Sequence, residues 1–365
     1  MWGLRCAVAA ALVVAVAATG CTRGGEPGTP RPQVAPVVGT PTPTPAGGSG
    51  TVSPLLGSTP ATPSPSPSPP ALSVRVMTYN ILSAKVGKKG ISKSLTNWGA
   101  RDDQVARWIT WNDPDVISFQ ENYTYRGRPQ LKTIDDEKLG AYQFVQMNTE
   151  IPIAFKKSRF KLAGSGIVRI ATKGKNHSSF DRWLTWVKLV DKKTGFKFTD
   201  VNVHLSPHQE NRPREARSVQ VDRIVAQLKK ILAPGDAFTL TGDFNAKNTE
   251  TKSPANDHLT KLAAQGIVDS ATLAKTDDSE VPRAASFSNL GVDIDGKFRY
   301  GAVKTYNYHY DYVFVPKDAT VERWRVSSGP GTRQVEIGGR SYPFFAKGVV
   351  PSDHSPVVAT VSFYR

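Results

Sequence analysis

Six short stretches of this chain carry acids, amides and imidazoles of the kinds that do chemistry on charged esters. Asn80 closes Met77-Thr78-Tyr79-Asn80, and Glu121 follows Gln120. His204 sits in Val201-Asn202-Val203-His204-Leu205, and Asp243 and Asn245 in Thr241-Gly242-Asp243-Phe244-Asn245-Ala246. Asp311 opens Asp311-Tyr312-Val313-Phe314-Val315, and Asp353 and His354 lie in Ser352-Asp353-His354-Ser355-Pro356. Singly, each has an ordinary explanation, because Asn and Asp form turns through their own side chains. Together they are the hard oxygen ligands and proton carriers that metal-assisted hydrolysis of a phosphate ester requires. A phosphodiester repels nucleophiles by its own charge, and a divalent cation offsets that charge. Mg2+ is the expected ion, since it binds through few carboxylates and keeps its waters; Mn2+ and Ca2+ are alternatives. Zinc is disfavoured, because no cysteine follows Cys21 and the chain has only six histidines.

Apolar, β-branched segments must hold these residues. Val74–Ile81 alternates as a strand, Val116–Gln120 reads as a short buried strand, and further strands are expected over 183–190, 196–205, 237–241, 310–315 and 357–363. Strand ends are where a rigid sheet can aim polar side chains into one cleft. A helix is expected around Trp98 to Trp111. A second runs from Pro213 to Leu232, where Val221, Ile224, Val225, Leu228, Ile231 and Leu232 recur at helical spacing. Pro213 suits its first turn and Pro234-Gly235 its end. No repeat and no second linker interrupts residues 71–365, so one domain of sheets with helices outside is expected.

The first seventy residues differ in kind. Residues 1–20 place Arg5 before an apolar run of 13 residues, Cys6 to Ala18, which suits a signal peptide better than a membrane span. Ala18-Thr19-Gly20-Cys21 is similar to the lipobox of bacterial lipoproteins, so lipidation on Cys21 and export to the outer face of a bacterial membrane are expected, with plain secretion as the alternative. Residues 22–70 hold 14 of the 27 prolines and read as a Pro/Thr/Ser-rich disordered tether. Both cysteines, Cys6 and Cys21, lie in the leader, so no disulfide framework is expected. The net charge is +16. Residues 1–70 hold Arg5, Arg23, Arg31 and Glu26 as their only Lys, Arg, Asp or Glu, so the rest carries 44 basic and 30 acidic residues, a net +14. A basic fold favours polyanionic partners.

The ordered motifs Met77-Thr78-Tyr79-Asn80, Gln120-Glu121, Val203-His204, Gly242-Asp243-Phe244-Asn245, Tyr310-Asp311-Tyr312 and Ser352-Asp353-His354-Ser355-Pro356 resemble the endonuclease/exonuclease/phosphatase superfamily over residues 74–364. The resemblance implies an α+β, four-layer α/β/β/α sandwich of the DNase I-like type. It implies that Glu121 holds the metal, with Asn80 beside it and Asp353 completing the shell. His354 and Asp311 would pair, Asp243 and Asn245 would position water and phosphate, and His204 would contact the phosphate and protonate the leaving group. Arg182 falls where secreted nucleases of this type place a phosphate-binding Arg. Whether Asp243 or His354 takes the water's proton stays open.

Nucleic acid is the expected substrate, with Arg126 and Arg128 of Tyr123-Thr124-Tyr125-Arg126-Gly127-Arg128 as phosphate contacts and Lys85, Lys88, Lys89 and Lys93 as a second basic stretch. The alternatives are a sphingomyelinase-like phospholipid or phosphoinositide phosphodiesterase and a catalytically silent surface-binding module. A monomer with no protein partner is expected. His177, His208 and His258 read as surface residues, while His309, two residues before Asp311, would share its face if the strand began that early.

Overall fold

Two pairs of parallel strands organise the fold. Leu72–Asn80 runs beside Val116–Gln120 with Asn80 level with Gln120, and Lys197–His204 runs beside Phe238–Asp243 with His204 level with Asp243. A parallel pair needs a long crossover, and a helix supplies it for each of these two, whereas a third parallel pair, Ala274–Asp277 with Thr320–Val326, is joined through strands alone. Trp98–Asn112 joins the first pair and Pro213–Ile231 the second. These are the two helices expected from the sequence, the second by its periodicity. Asn97 caps the first by accepting from Gly99 N, and Pro213 opens the second.

In this computed structural model, residues 69–84, 93–134, 136–208, 211–345 and 349–364 are described. Cys21, the tether, and Lys85, Lys88 and Lys89 lie outside the described residues. Ser66–Arg365 forms one compact unit. The first parallel pair lies within a seven-stranded sheet, in the order Ala274–Asp277, Thr320–Val326, Val357–Phe363, Leu72–Asn80, Val116–Gln120, Ile153–Lys156, Tyr142–Val145. The second lies within a six-stranded sheet, in the order Ile267–Asp269, Asp311–Pro316, Phe238–Asp243, Lys197–His204, Arg182–Asp191, Phe160–Ala171.

Side chains of the two helices define the outer layers. Trp98, Val105, Trp108 and Ile109 share one core with Val76, Phe119 and the inward Val187, Leu189 and Val313 of the second sheet. Val221, Ile224 and Leu228 pack with Leu184, Val201, Val203 and Phe314 on that sheet's other face. The layers are helix, sheet, sheet, helix, as expected, in an α+β sandwich.

The inner faces also meet through a polar seam. Strand alternation sends Val201 and Val203 to the helix side and Asp200 and Asn202 toward the first sheet. Ser118 and Thr239 each donate to Asp200 at 2.6 Å, and Gln120 donates to Asn202 at 2.8 Å. Burial raises the Asp200 carboxyl to about 6, against the partial opposition of these hydroxyls. The folded pKa exceeds the unfolded value, so the neutral acid is the form the fold favours. Below about pH 4 both states hold the proton and no penalty arises; as pH rises to about 6 the unfolded chain ionises first and stability falls. Asp200→Asn is therefore expected to flatten denaturant-derived stability across pH 4–7, removing a loss of about 3 kcal/mol. An unchanged slope would mean that the carboxyl titrates normally.

Candidate active site

The C-terminal ends of both parallel pairs reach one edge of the sandwich, and this topology collects the motifs. Asn80 and Glu121 leave the first sheet there, and His204 and Asp243 the second. The strand beginning at Asp311 runs antiparallel with Asp311 level with Asp243, so its start lies at that edge. Val357–Phe363 runs antiparallel to the first strand with Val357 level with Thr78, which brings the preceding Ser352-Asp353-His354 turn beside Asn80.

Hydrogen bonds knit the cluster. Asn80 Nδ2 donates to Glu121 Oε1 at 3.0 Å and to Asp243 Oδ2 at 3.1 Å, while its Oδ1 accepts from Leu82 N. That backbone bond orients the amide: its hydrogens face the two carboxylates. Asn80 therefore links Glu121 to Asp243, within the set of groups that the sequence resemblance places at the metal. Glu121 Oε2 also accepts from Ser83 N at 2.8 Å. Asp243 Oδ1 accepts from Asn245 N at 2.8 Å, and Asn245 Nδ2 donates to Leu205 O. His354 Nδ1 bonds Asp311 Oδ2 at 2.8 Å, and its Nε2 lies 3.7 Å from Asp243 Oδ2. His204 Nε2 lies 3.6 Å from the same oxygen, and its Nδ1 is 3.5 Å from Arg182 Nη1.

Local backbone strain marks the site. Glu121 at φ +63° and Asn245 at φ +51° hold left-handed conformations that non-glycine residues seldom adopt. Gly242 has φ +147°, and a Cβ there would lie 2.1 Å from Val203 O across the parallel ladder. Only glycine fits at that point, one residue before the strand ends at Asp243.

Burial sets the electrostatics. It raises Asp243, and the Asp311 charge adds to this, while His354 pulls the other way. Burial also raises Glu121, with a further push from Asp353. Burial opposes a charged His354, yet the carboxylates of Asp311 and Asp243 overcome it and hold the imidazole protonated. His204 is held neutral by burial, then by Arg182 and His354. A neutral His204, with Arg182 against Nδ1, keeps its proton on Nε2, where it can donate into the cleft.

The donor set fits a divalent cation. Four acids, Glu121, Asp243, Asp311 and Asp353, converge, and Asp311 Oδ1 is buried without a hydrogen-bond partner. Asp243, Asp311 and His354 can each offer one atom within 4.8 Å of the others. The Asp311–His354 hydrogen bond already engages two of those groups. The geometry therefore suits that trio for proton handling through Asp311 Oδ2, with Glu121 and Asp353 as the acids suited to a cation and the unpartnered Asp311 Oδ1 as a further oxygen open to it.

Several supporting residues carry no sequence signal. Arg101, fully buried in the first helix, donates to Thr96 O, Ile81 O, Leu82 O, Ser83 O and Pro351 O, tying the turn after Asn80 to the turn before Asp353. Ser286 Oγ donates to Asp311 Oδ2 at 2.6 Å, and Ser352 Oγ donates to Asn80 O at 2.6 Å. Arg182 is 3% exposed, with Nη1 3.5 Å from Glu150 Oε1. Arg126 and Arg128 lie apart, on the two-residue hairpin Thr124–Tyr125/Arg128–Pro129, bordering a groove with Lys93 and Tyr125. Arg126 and Gly127 supply the two positive φ angles that such a turn needs. One histidine differs from expectation, and the condition set for another is not met. His258 is buried, with Nε2 3.0 Å from Tyr312 Oη, because the short helix Asp257–Ala263 turns it inward. His309 Nε2 is 2.7 Å from Asp269 Oδ2, because the strand starts only at Asp311 and the turn before it aims His309 away from the cleft.

Comparison with known proteins agrees with this geometry. No curated protein matches the chain. Among solved structures, an endonuclease/exonuclease/phosphatase family protein of Bacteroides thetaiotaomicron superimposes with a TM-score of 0.60 at 20% identity, covering 80% of this chain and 98% of that one. The mannosyl-6-phosphatase of the same organism gives 0.58 at 18%, covering 80% and 100%. TDP2 of D. rerio, complexed with a single-strand DNA product, gives 0.52 at 16%, covering 80% and 99%. At these identities the likeness establishes the fold. The profile described as "Endonuclease/Exonuclease/phosphatase family" matches residues 77–354, a span that holds every motif of the cleft. The chain belongs to that family, whose members are metal-dependent hydrolases acting on phosphoester bonds.

Proposed function

We propose that this enzyme is a nuclease that cleaves phosphodiester bonds of DNA or RNA, exported and tethered by lipid on Cys21 to the outer face of a bacterial membrane. The observation that carries the nuclease reading is charge: a net +14 after residue 70, with the Arg126/Arg128 hairpin beginning three residues beyond Glu121. Positive charge favours a polyanion over a neutral or zwitterionic headgroup. Among the described residues, the large exposed hydrophobic side chains Trp111, Tyr123, Phe180, Phe298, Tyr306 and Tyr364 fall on separate segments, Tyr306 in the polar-interleaved stretch Tyr306-Asn307-Tyr308-His309-Tyr310, and the hairpin Arg333–Ile337/Arg340–Phe344 turns on Gly338-Gly339. Neither gives the aromatic wedge that insertion into a bilayer calls for.

A bound divalent cation, Mg2+ first, supplies neutralisation of the phosphate charge and a more acidic water. Glu121 and Asp353 would hold it, with Asn80 orienting Glu121. Asp243, raised toward neutrality, accepts the proton of the attacking water, and Asn245 N fixes its other oxygen. His354, kept protonated by Asp311, donates from Nε2 to a phosphate oxygen. Arg182 sits against His204 Nδ1, which leaves the proton on Nε2 for a hydrogen bond in the cleft.

The test offers the full chain plasmid DNA, RNA, sphingomyelin, phosphoinositides and a sugar 6-phosphate side by side, with Mg2+ and with EDTA. Metal-dependent cleavage of nucleic acid is expected, and a preference for a lipid or sugar phosphate would replace the reading. Arg126→Ala with Arg128→Ala is expected to flatten the slope of log affinity for duplex DNA against log salt, by ~0.9 for each phosphate that is no longer neutralised. Mass spectrometry of membrane-fraction protein is expected to find an acylated Cys21. Equal soluble protein from wild type and Cys21→Ala would sink the tether.

A further inference from the structure

Beside His354 lies a ladder of aromatic rings that the chemistry above does not use. Phe287 packs against His354 with ring centroids 4.9 Å apart, and Tyr310 lies 5.6 Å from Phe287. Tyr308 lies 5.6 Å from Tyr310, and Tyr306 lies 6.0 Å from Tyr308 at an interplanar angle of 14°. The ladder ends in solvent, with Tyr306 60% exposed. Two lysines border it: Lys247 Nζ sits 4.6 Å from the Tyr308 centroid and Lys304 Nζ 5.2 Å from that of Phe287.

The backbone under the ladder is held. Asn307 N donates to Arg283 O, Ser286 N to Tyr308 O, and Ala285 N to Lys304 O. Asn307 and Arg283 both take positive φ, which turns the segment sharply. Ser286 also holds the catalytic side, since its Oγ donates to Asp311 and accepts from Tyr310 N. The rings are thus fixed relative to the His354–Asp311 pair, and little ordering remains for a ligand to impose.

An exposed phenol whose plane parallels its neighbour presents a flat face on which a further planar ring can stack. Alternating rings and cations that lead away from a phosphodiester cleft match the way single strands are bound: bases stack on rings while cations follow the phosphates. We propose that Tyr306 and Tyr308, flanked by Lys247 and Lys304, form a stacking platform for unpaired nucleobases next to the scissile phosphate. The platform makes single-stranded or locally opened nucleic acid the preferred form of substrate. This inference rests on the nuclease reading.

The test compares single-stranded oligonucleotides with nuclease-resistant linkages, one with its bases and one abasic throughout, binding to the full chain in Mg2+. The two carry the same phosphates, so their affinity ratio isolates the bases. Wild type is expected to prefer the base-bearing strand by roughly 5- to 100-fold for each stacked base. Tyr306→Ala with Tyr308→Ala is expected to bring the ratio close to one, and the paired Phe substitutions to restore it. Tyr306→Ala alone, at the exposed end, gives a smaller drop and serves if the double variant fails to fold. A ratio near one in wild type, or one that survives both alanines, overturns the platform. Equal binding of the two strands with a parallel loss in the alanine variant assigns the rings to sugar faces, which also overturns it. A strong base preference without cleavage of any nucleic acid overturns the nuclease reading and leaves the platform. Cleavage without base preference does the reverse.

Discussion

Changing His354 to alanine is expected to lower turnover by at least ~10²–10⁴-fold, the usual worth of a general acid–base group. The effect should reach the top of that range, because the imidazole is one unit with its partners. Asp311 holds its Nδ1 at 2.8 Å, Ser286 holds Asp311, and Nε2 points toward Asp243. Without the ring, Asp243 and Asp311 lose the positive charge between them, and two buried carboxylates face each other uncompensated. A drop in thermal stability is therefore expected alongside the loss of rate. Circular dichroism must accompany the kinetics, and Asp311→Asn, which keeps the shape, should reproduce most of the loss without removing the ring. On the nuclease reading proposed above, binding of nucleic acid should largely survive, since phosphate contacts would be spread over many Lys and Arg. Near-normal turnover in a folded His354→Ala protein would remove the pair from the mechanism.

The second large effect concerns Glu121. Glu121→Gln keeps the side-chain shape and deletes the charge. Changes to residues that merely orient metal ligands typically cost ~10- to 100-fold in metal affinity, and loss of a charged ligand should exceed that. The Mg2+ concentration for half-maximal activity is expected to rise accordingly. A second readout does not depend on turnover. A ligand that binds only the folded state raises the melting temperature as its concentration rises, so wild type should gain stability with added Mg2+ and Glu121→Gln should gain little. Equal Mg2+ stabilisation in both would place the cation elsewhere, with the Asp243–Asp311–His354 group the next candidate.

Much of this protein was legible in its sequence, for reasons of period and composition. The Pro213 helix showed itself because Val221, Ile224 and Leu228 recur on one face. The strands Val116–Gln120 and Val357–Phe363 have the ends that their β-branched runs suggest. Other strands were hidden. Phe160–Ala171 carries Gly164 and Gly166, which have no side chain to show a strand's alternation, and the side chain of Trp186 covers them and takes the room that a Cβ on Gly166 would need. Tyr142–Val145 and Ile153–Lys156 are too short for alternation to be counted. The polar seam of Asp200, Asn202, Ser118 and Gln120 was hidden too, because its partners are about eighty residues apart.

The cleft divides the same way. Residue types in order along the chain were enough to nominate Asn80, Glu121, His204, Asp243, Asn245, Asp311, Asp353 and His354, since hard ligands and proton carriers are chemically distinctive wherever they fall. Their roles depended on distances and burial. The amide of Asn80 is turned by Leu82 N, His204 is neutral because it is buried with Arg182 against it, and His309 faces Asp269 because the strand begins two residues later. Arg101 and Ser286 looked like any surface Arg and loop Ser, because what makes them matter is the backbone and carboxylate that distant segments bring to them. A sequence names the groups a chain owns, and hydrogen-bond geometry and desolvation, which exist only once the two sheets have packed, decide which of them holds a proton, which holds a charge and which holds the others in place.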